Sequence, residues 1–214
     1  MTLYQLYYYP LNASMAPHFV LDALQIEYEL LLIDRKADEQ KSDAYLALNP
    51  QGKIPTLVDG DLVLSESAAI CIYLAENNAD SQLIPAIHSS ARAKFFQWIL
   101  YLSNTLQAEL MLYFYPEKHC DNERQAQAIA KKQEQRITNM LSTLDAELAN
   151  KTYLLGEQIS VCDYYLFMLA VWSDEFAKPP LAFEHLGRYL KHMAKDHAVV
   201  SVCDKEGLSL ADYQ

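Results

Sequence analysis

The sequence predicts an α/β domain followed by an all-α domain, and three observations support that division. Strand and helix signals alternate over the first eighty residues. Every strong pattern after about residue 89 has the 3.6-residue period of a helix. Between them NNADSQLIPAIHSS reads as a connection, which puts the linker near 80–89. The expected boundaries are therefore 1–80 and 89–214.

The elements follow in order. TLYQLYYY is a β-prone run of aromatic and aliphatic residues that breaks at Pro10. From Ser14 the pattern turns helical, with Phe19, Val20, Ala23 and Leu24 spaced for one face. EYELLLID has the near-continuous apolar core of a buried parallel strand. QKSDAYLAL is a short helix that stops at Asn49-Pro50. PTLVDGDLVL is a hairpin, because Asp59-Gly60-Asp61 supplies turn residues between two apolar runs. A helix then runs from Ser65 to about Asn78, with Ala69, Ile70, Tyr73 and Leu74 as its stripe. The order β-α-β-α-β-β-α suits a thioredoxin-like layer of helices on a mixed sheet.

The second half carries no strong strand signal. Phe95, Trp98, Ile99, Leu102 and Leu106 keep one helical period, and Ile137, Leu141, Leu144 and Leu148 keep another. In ISVCDYYLF, Ser160 is the expected N-cap, Asp163 stands at the capping-box position, and Ile159 with Tyr164 would form a hydrophobic staple. Lys178-Pro179-Pro180 is the expected stop of that helix, and LAFEHLGRYLKHMA supplies another.

Composition narrows the function. The 214 residues are 51% hydrophobic and 21% charged, as in a soluble globular protein. The opening MTLYQLYYYP lacks the features of a secretory signal, and no apolar run reaches the roughly 20 residues of a membrane span. The expected location is cytoplasmic, with no membrane partner. A net charge of −11 repels phosphate backbones and argues against nucleic acid. Cys71, Cys120, Cys162 and Cys203 form no CxxC pair, and the six histidines are scattered, so no metal is expected. His18, His185 and His192 read as surface or packing residues.

The chemistry concentrates in NPQGKIPTLVDGDLVLSESAAI. A cis Ile54-Pro55 bond would turn the Ile54 N–H and C=O outward, where an extended peptide pairs as an added strand. Glu66-Ser67 begins a helix whose free N–H groups favour an anion. Ser67 can donate to a carboxylate, and Glu66 matches an ammonium. Those two groups on one carbon of a short peptide describe the γ-glutamyl end of glutathione.

NPxGKxPxL followed by ESxAIxxYL resembles the glutathione-binding domain of the glutathione transferases, and the resemblance extends over nearly the whole chain. WILYLSNTLQAEL is similar to the family's fourth helix, LLGEQISVCDYYLF to its buried N-capping motif, and FEHLGRYLKHMA to its penultimate helix. The nearest class is the bacterial beta class. The resemblance implies a thioredoxin-like domain with an all-α second domain, a homodimer, and glutathione as co-substrate. It places Lys53 at the glycyl carboxylate, Ile54 at the cysteinyl backbone, and Glu66 and Ser67 among the glutathione contacts.

At the reacting centre the sequence departs from that class. Aligned on Pro10, the beta-class cysteine falls on Ala13 and the following serine on Ser14, while a histidine and an asparagine of helix 4 fall on Gln107 and Leu100. Ser14 is the expected thiolate donor, with Tyr8 and Asn12 as alternatives. The electrophile pocket is expected between the domains, from Leu11, Gln107, Met111, Tyr115 and Trp172. The expected activity is conjugation of glutathione to a small apolar electrophile. The alternative is a transferase-like protein that binds ligands or a partner without turnover, and a thiol oxidoreductase lacks the cysteine it would need.

Overall fold

The computed structural model describes residues 3–214. The chain packs into two compact units. The first holds the residues up to Ile84 together with Ala194–Asp212 and Gln214, and the second holds Pro85–Met193 with Tyr213. The passage at Ile84–Pro85 lies inside the 80–89 stretch, and the last helix of the chain belongs spatially to the first unit.

The first unit is built on a four-stranded sheet of order β2-β1-β3-β4, where β1 is Tyr4–Tyr8, β2 Tyr28–Leu32, β3 Thr56–Asp59 and β4 Leu62–Ser65. β1 runs parallel to β2 and antiparallel to β3, and β3 is antiparallel to β4, so the sheet is mixed. Gly60, at φ 58°, makes the β3–β4 turn. Three helices alternate with the strands: α1 Met15–Ala23, α2 Asp43–Leu48 and α3 Ser67–Asn77. Successive side chains of β1 point to opposite faces. Tyr7 packs its ring against Tyr45 of α2, and Tyr8 sets its ring edge-on to His18 of α1. β2 corrects one expectation. Its apolar run reads as a buried strand, yet it lies at the sheet edge with Leu32 55% exposed. The buried stripe of α3 is also displaced, to Ile70, Cys71, Leu74 and Ala75, and Ala69 is exposed.

The second unit is helical. α4 Ser90–Leu100 continues through a π-helical segment, Tyr101–Leu106, into α5 Gln107–Phe114. α6 Glu123–Glu147, α7 Val161–Val171 and α8 Glu184–Met193 complete it, while α9 His197–Glu206 packs against α1 in the first unit. The periodic residues Phe95, Trp98, Ile99, Leu102 and Leu106 are buried, as are Ile137, Leu141, Leu144 and Leu148. α7 stops at Val171, well before the prolines at 179 and 180, because the chain leaves Trp172 in a series of tight turns. At the start of α7 the fully buried Asp163 carboxylate accepts from the Ser160 N–H, the Ser160 hydroxyl and the Leu154 N–H, each at 2.8 Å, and from the Tyr189 hydroxyl at 3.0 Å. Burial still raises its pKa against the lowering effect of those bonds. Among the described residues no helix is long and apolar enough to cross a membrane.

Candidate functional site

The loop between α2 and β3 is built from its own side chains. Asn49 is buried, and its amide donates to the Lys53 carbonyl at 2.8 Å and to Thr56 Oγ1 at 3.2 Å. The Tyr45 hydroxyl donates to the same carbonyl at 2.7 Å. Gly52 has φ 59°, and a Cβ there would stand 2.8 Å from the Gln40 carbonyl oxygen, so only glycine fits. The Ile54-Pro55 bond is cis. Among the described residues nothing hydrogen-bonds the Ile54 N–H or carbonyl, and nothing pairs with the exposed Lys53 ammonium.

The next stretch of the motif heads α3. Glu66 occupies φ 71°, a region that side-chain-bearing residues rarely adopt. Its carboxylate is exposed and has no partner among the described residues. Ser67 follows as the first helical residue, beside first-turn N–H groups that no intrahelical carbonyl reaches. Its hydroxyl donates to the Ala13 carbonyl at 2.8 Å. That bond joins the head of α3 to the β1–α1 loop, 54 residues earlier.

The end of β1 and the β1–α1 loop hold the three thiolate candidates, and their surroundings differ. Ser14 is fully buried; its hydroxyl donates to the Tyr9 carbonyl at 3.0 Å and accepts the Tyr9 N–H at 3.3 Å. Ser14 thus closes the loop on itself and makes no side-chain cap to α1. Tyr8 ends β1 with its ring edge toward His18. Asn12 is half-buried, and its Oδ1 accepts the Ala13 N–H at 2.8 Å, which fixes the orientation of the amide. The Asn12 NH₂ group has no partner among the described residues.

The pocket candidates divide between the units. Leu11, 41% exposed and at φ 55°, lies in the first. Gln107, Met111, Tyr115 and Trp172 lie in the second. Gln107 accepts from the buried Tyr165 hydroxyl. Lys118 sits 4.1 Å over the Tyr115 ring, and Trp172 meets Phe114 edge-on, its indole N–H buried and unpaired among the described residues.

Sequence reasoning missed the groups that hold this site together. Asn49 had a local signal, since Asn-Pro-x-Gly is a turn in which the Asn side chain bonds the following backbone. Glu206 had none. It accepts the Leu11 N–H at 2.8 Å across 195 residues, and its other oxygen lies 2.7 Å from His18 Nδ1. His18 is a packing residue as expected, but a fully buried and hydrogen-bonded one.

Comparison with known proteins places this geometry in a family. The family model "Glutathione S-transferase, N-terminal domain" matches residues 1–76, and "Glutathione S-transferase, C-terminal domain" matches 101–196. Glutathione S-transferase GstA of Escherichia coli O157:H7 is 27% identical over 206 residues, covering 95% of this chain and 99% of its own. Glutathione S-transferase 3 of Zea mays is 30% identical over 165 residues, covering 75% and 72%. The crystal structure of a sphingomonad glutathione S-transferase complexed with glutathione superimposes with a TM-score of 0.82 at 29% identity, over 96% of this chain and 100% of that one. From its two matched domains and its fold, the chain belongs to the glutathione S-transferase family.

Proposed function

We propose that this protein binds glutathione through its first unit and conjugates the glutathione sulfur to a small apolar electrophile. The observation that carries the reading is the Ser67–Ala13 hydrogen bond, which ties the charged head of α3 to the loop that would face the sulfur. In this reading Lys53 meets the glycyl carboxylate and the Ile54 backbone pairs with the cysteinyl residue. The free N–H groups at the α3 N-terminus take the γ-glutamyl carboxylate, with Ser67 holding that helix end to the β1–α1 loop, and Glu66 takes its ammonium. The bound glutathione of the sphingomonad relative supports the ligand.

The thiolate is the nucleophile, and an ordinary thiol of pKa about 8.5 is mostly protonated at neutral pH. A donor aimed at the sulfur favours the anion. The unpartnered Asn12 NH₂ suits that role better than the Ser14 hydroxyl, whose hydrogen is held by Tyr9. With an aryl halide, the thiol proton leaves to solvent and a sulfur pair forms the new S–C bond. The halide departs with the electrons of the bond that breaks. A cytoplasmic homodimer is the assembly this reading carries with it.

Retention on immobilised glutathione, combined with turnover of a chromogenic aryl halide, tests the proposal. Retention with turnover is expected. Retention without turnover would favour a binding protein, and failure to be retained would end the reading. Ser67→Ala is expected to weaken glutathione binding by about 1–2 kcal/mol in calorimetry, because the Ala13 carbonyl loses its partner and the head of α3 its tie to the β1–α1 loop. Unaltered affinity would remove Ser67 from the site.

A further inference from the structure

Glu206 is an unusual residue to find where it stands. It is the last residue of α9, the helix end where the dipole disfavours a negative charge. Its side chain is fully buried, where an unpaired carboxylate is costly. It is compensated from α1 and from the β1–α1 loop. A carboxylate only accepts, so His18 Nδ1 donates to one oxygen at 2.7 Å and the Leu11 N–H to the other at 2.8 Å. His18 Nε2 lies 3.1 Å from the Tyr28 hydroxyl, which donates to Asp22 at 2.8 Å, and Lys205 reaches both Asp22 and Tyr28. Burial, and after it the Glu206 charge, pushes the neighbouring Cys203 thiol up to about 12, so it stays neutral.

The loop is therefore tied at three points. Ser14 brackets the Tyr9 backbone, Glu206 holds the Leu11 N–H, and Ser67 holds the Ala13 carbonyl. Asn12 is the residue between the last two ties. Leu11 sits in the left-handed region at φ 55°, which a leucine leaves readily unless something fixes it. We propose that Glu206, oriented by His18, is a positioning residue: by holding the Leu11 amide it fixes the backbone that aims the Asn12 carboxamide at the glutathione sulfur. This rests on the reading of Asn12 as the sulfur's donor. It gives the C-terminal helix a part in the chemistry of the opposite end of the chain.

The test follows the thiolate absorbance of glutathione bound to the full-length protein against pH, with steady-state kinetics and melting curves. Glu206→Ala is expected to raise the apparent pKa of the bound thiol and to lower kcat about tenfold, as misplacing a reacting group does, with the KM for glutathione within about twofold. Glu206→Gln still offers an oxygen to the Leu11 N–H and is expected to keep about half of kcat or more. Tyr28→Phe cuts the network beyond His18, and is expected to lower the melting temperature while leaving the titration in place. In the wild type the Leu11 amide is expected to exchange with solvent as slowly as a core helix amide, a readout that stands even if Glu206→Ala fails to fold. A wild-type titration in a folded Glu206→Ala, an equal shift in Tyr28→Phe, or Leu11 exchange at an open-loop rate would overturn the proposal alone. A wild type that leaves the thiol of bound glutathione at its free pKa would overturn the catalytic reading and this proposal with it.

Discussion

Replacing Asn12 by alanine is expected to lower conjugation turnover by roughly tenfold to a thousandfold, the range for losing one preorganised donor, with little change in the KM for glutathione. The proposed binding groups Lys53, Ile54, Glu66 and Ser67 lie on other segments and are expected to stay in place. The sign is set by which form of the sulfur the amide favours. An N–H donor stabilises the thiolate, so its removal raises the pKa of the bound thiol and shrinks the reactive fraction at neutral pH. Asn12→Asp should act in the same direction and further, because it sets a negative charge beside a developing one. Ser14→Ala makes the contrast. It leaves the Tyr9 N–H and carbonyl without their buried partner, and should lower stability by about 1–3 kcal/mol while the thiolate titration holds. Tyr8→Phe should move neither. If the titration shifts in Ser14→Ala or Tyr8→Phe and stays put in Asn12→Ala, the donor is misassigned.

Asp163→Ala is expected to destabilise the protein by about 3–5 kcal/mol, at the high end for one substitution. The change strips acceptors from two backbone N–H groups and two hydroxyls, all buried, that now converge on one carboxylate. Tyr189 adds to the loss, because its hydroxyl would keep only a 3.3 Å bond to the residue-163 carbonyl. Asp163→Asn keeps one accepting oxygen and should fall between wild type and alanine. The measurement is the denaturant midpoint at unchanged m-value. A midpoint equal to wild type would show that the start of α7 does not depend on this carboxylate.

The order of elements was legible because each boundary had a local cause: Pro10, Asn49-Pro50, Gly60 and the Ser160–Asp163 pair act within a few residues. What went unread depended on neighbours far away. The apolar run of β2 records what the strand is made of, and whether another strand covers its outer edge is decided elsewhere in the fold. The π-helical segment was invisible because Trp98, Leu102, Leu106 and Leu110 keep a spacing of four throughout, which an α-helix would also show. The site divides in the same way. Lys53, Ile54, Glu66 and Ser67 become candidates by residue type near a proline or a helix start. The Ser14 hydroxyl had two possible partners, a ligand and the Tyr9 backbone, and nothing in the local sequence distinguishes them. Glu206 is 195 residues from the amide it holds.

The arrangement of α9 also bears on how the protein is made. Chains emerge N-terminus first at about 5–20 residues per second, and domains generally fold as they appear. Here the sheet and its first three helices leave the ribosome early, but the unit they belong to is finished by residues 194–212. All of Pro85–Met193 is synthesised in between, a delay on the order of ten seconds at that rate. Over that interval the face of α1 that will receive α9 is uncovered, and the buried His18 waits for its carboxylate. The nascent first unit is therefore incomplete until α9 has emerged. A ribosome-stalled chain lacking α9 would have every residue of the glutathione motif and no Glu206 to hold Leu11.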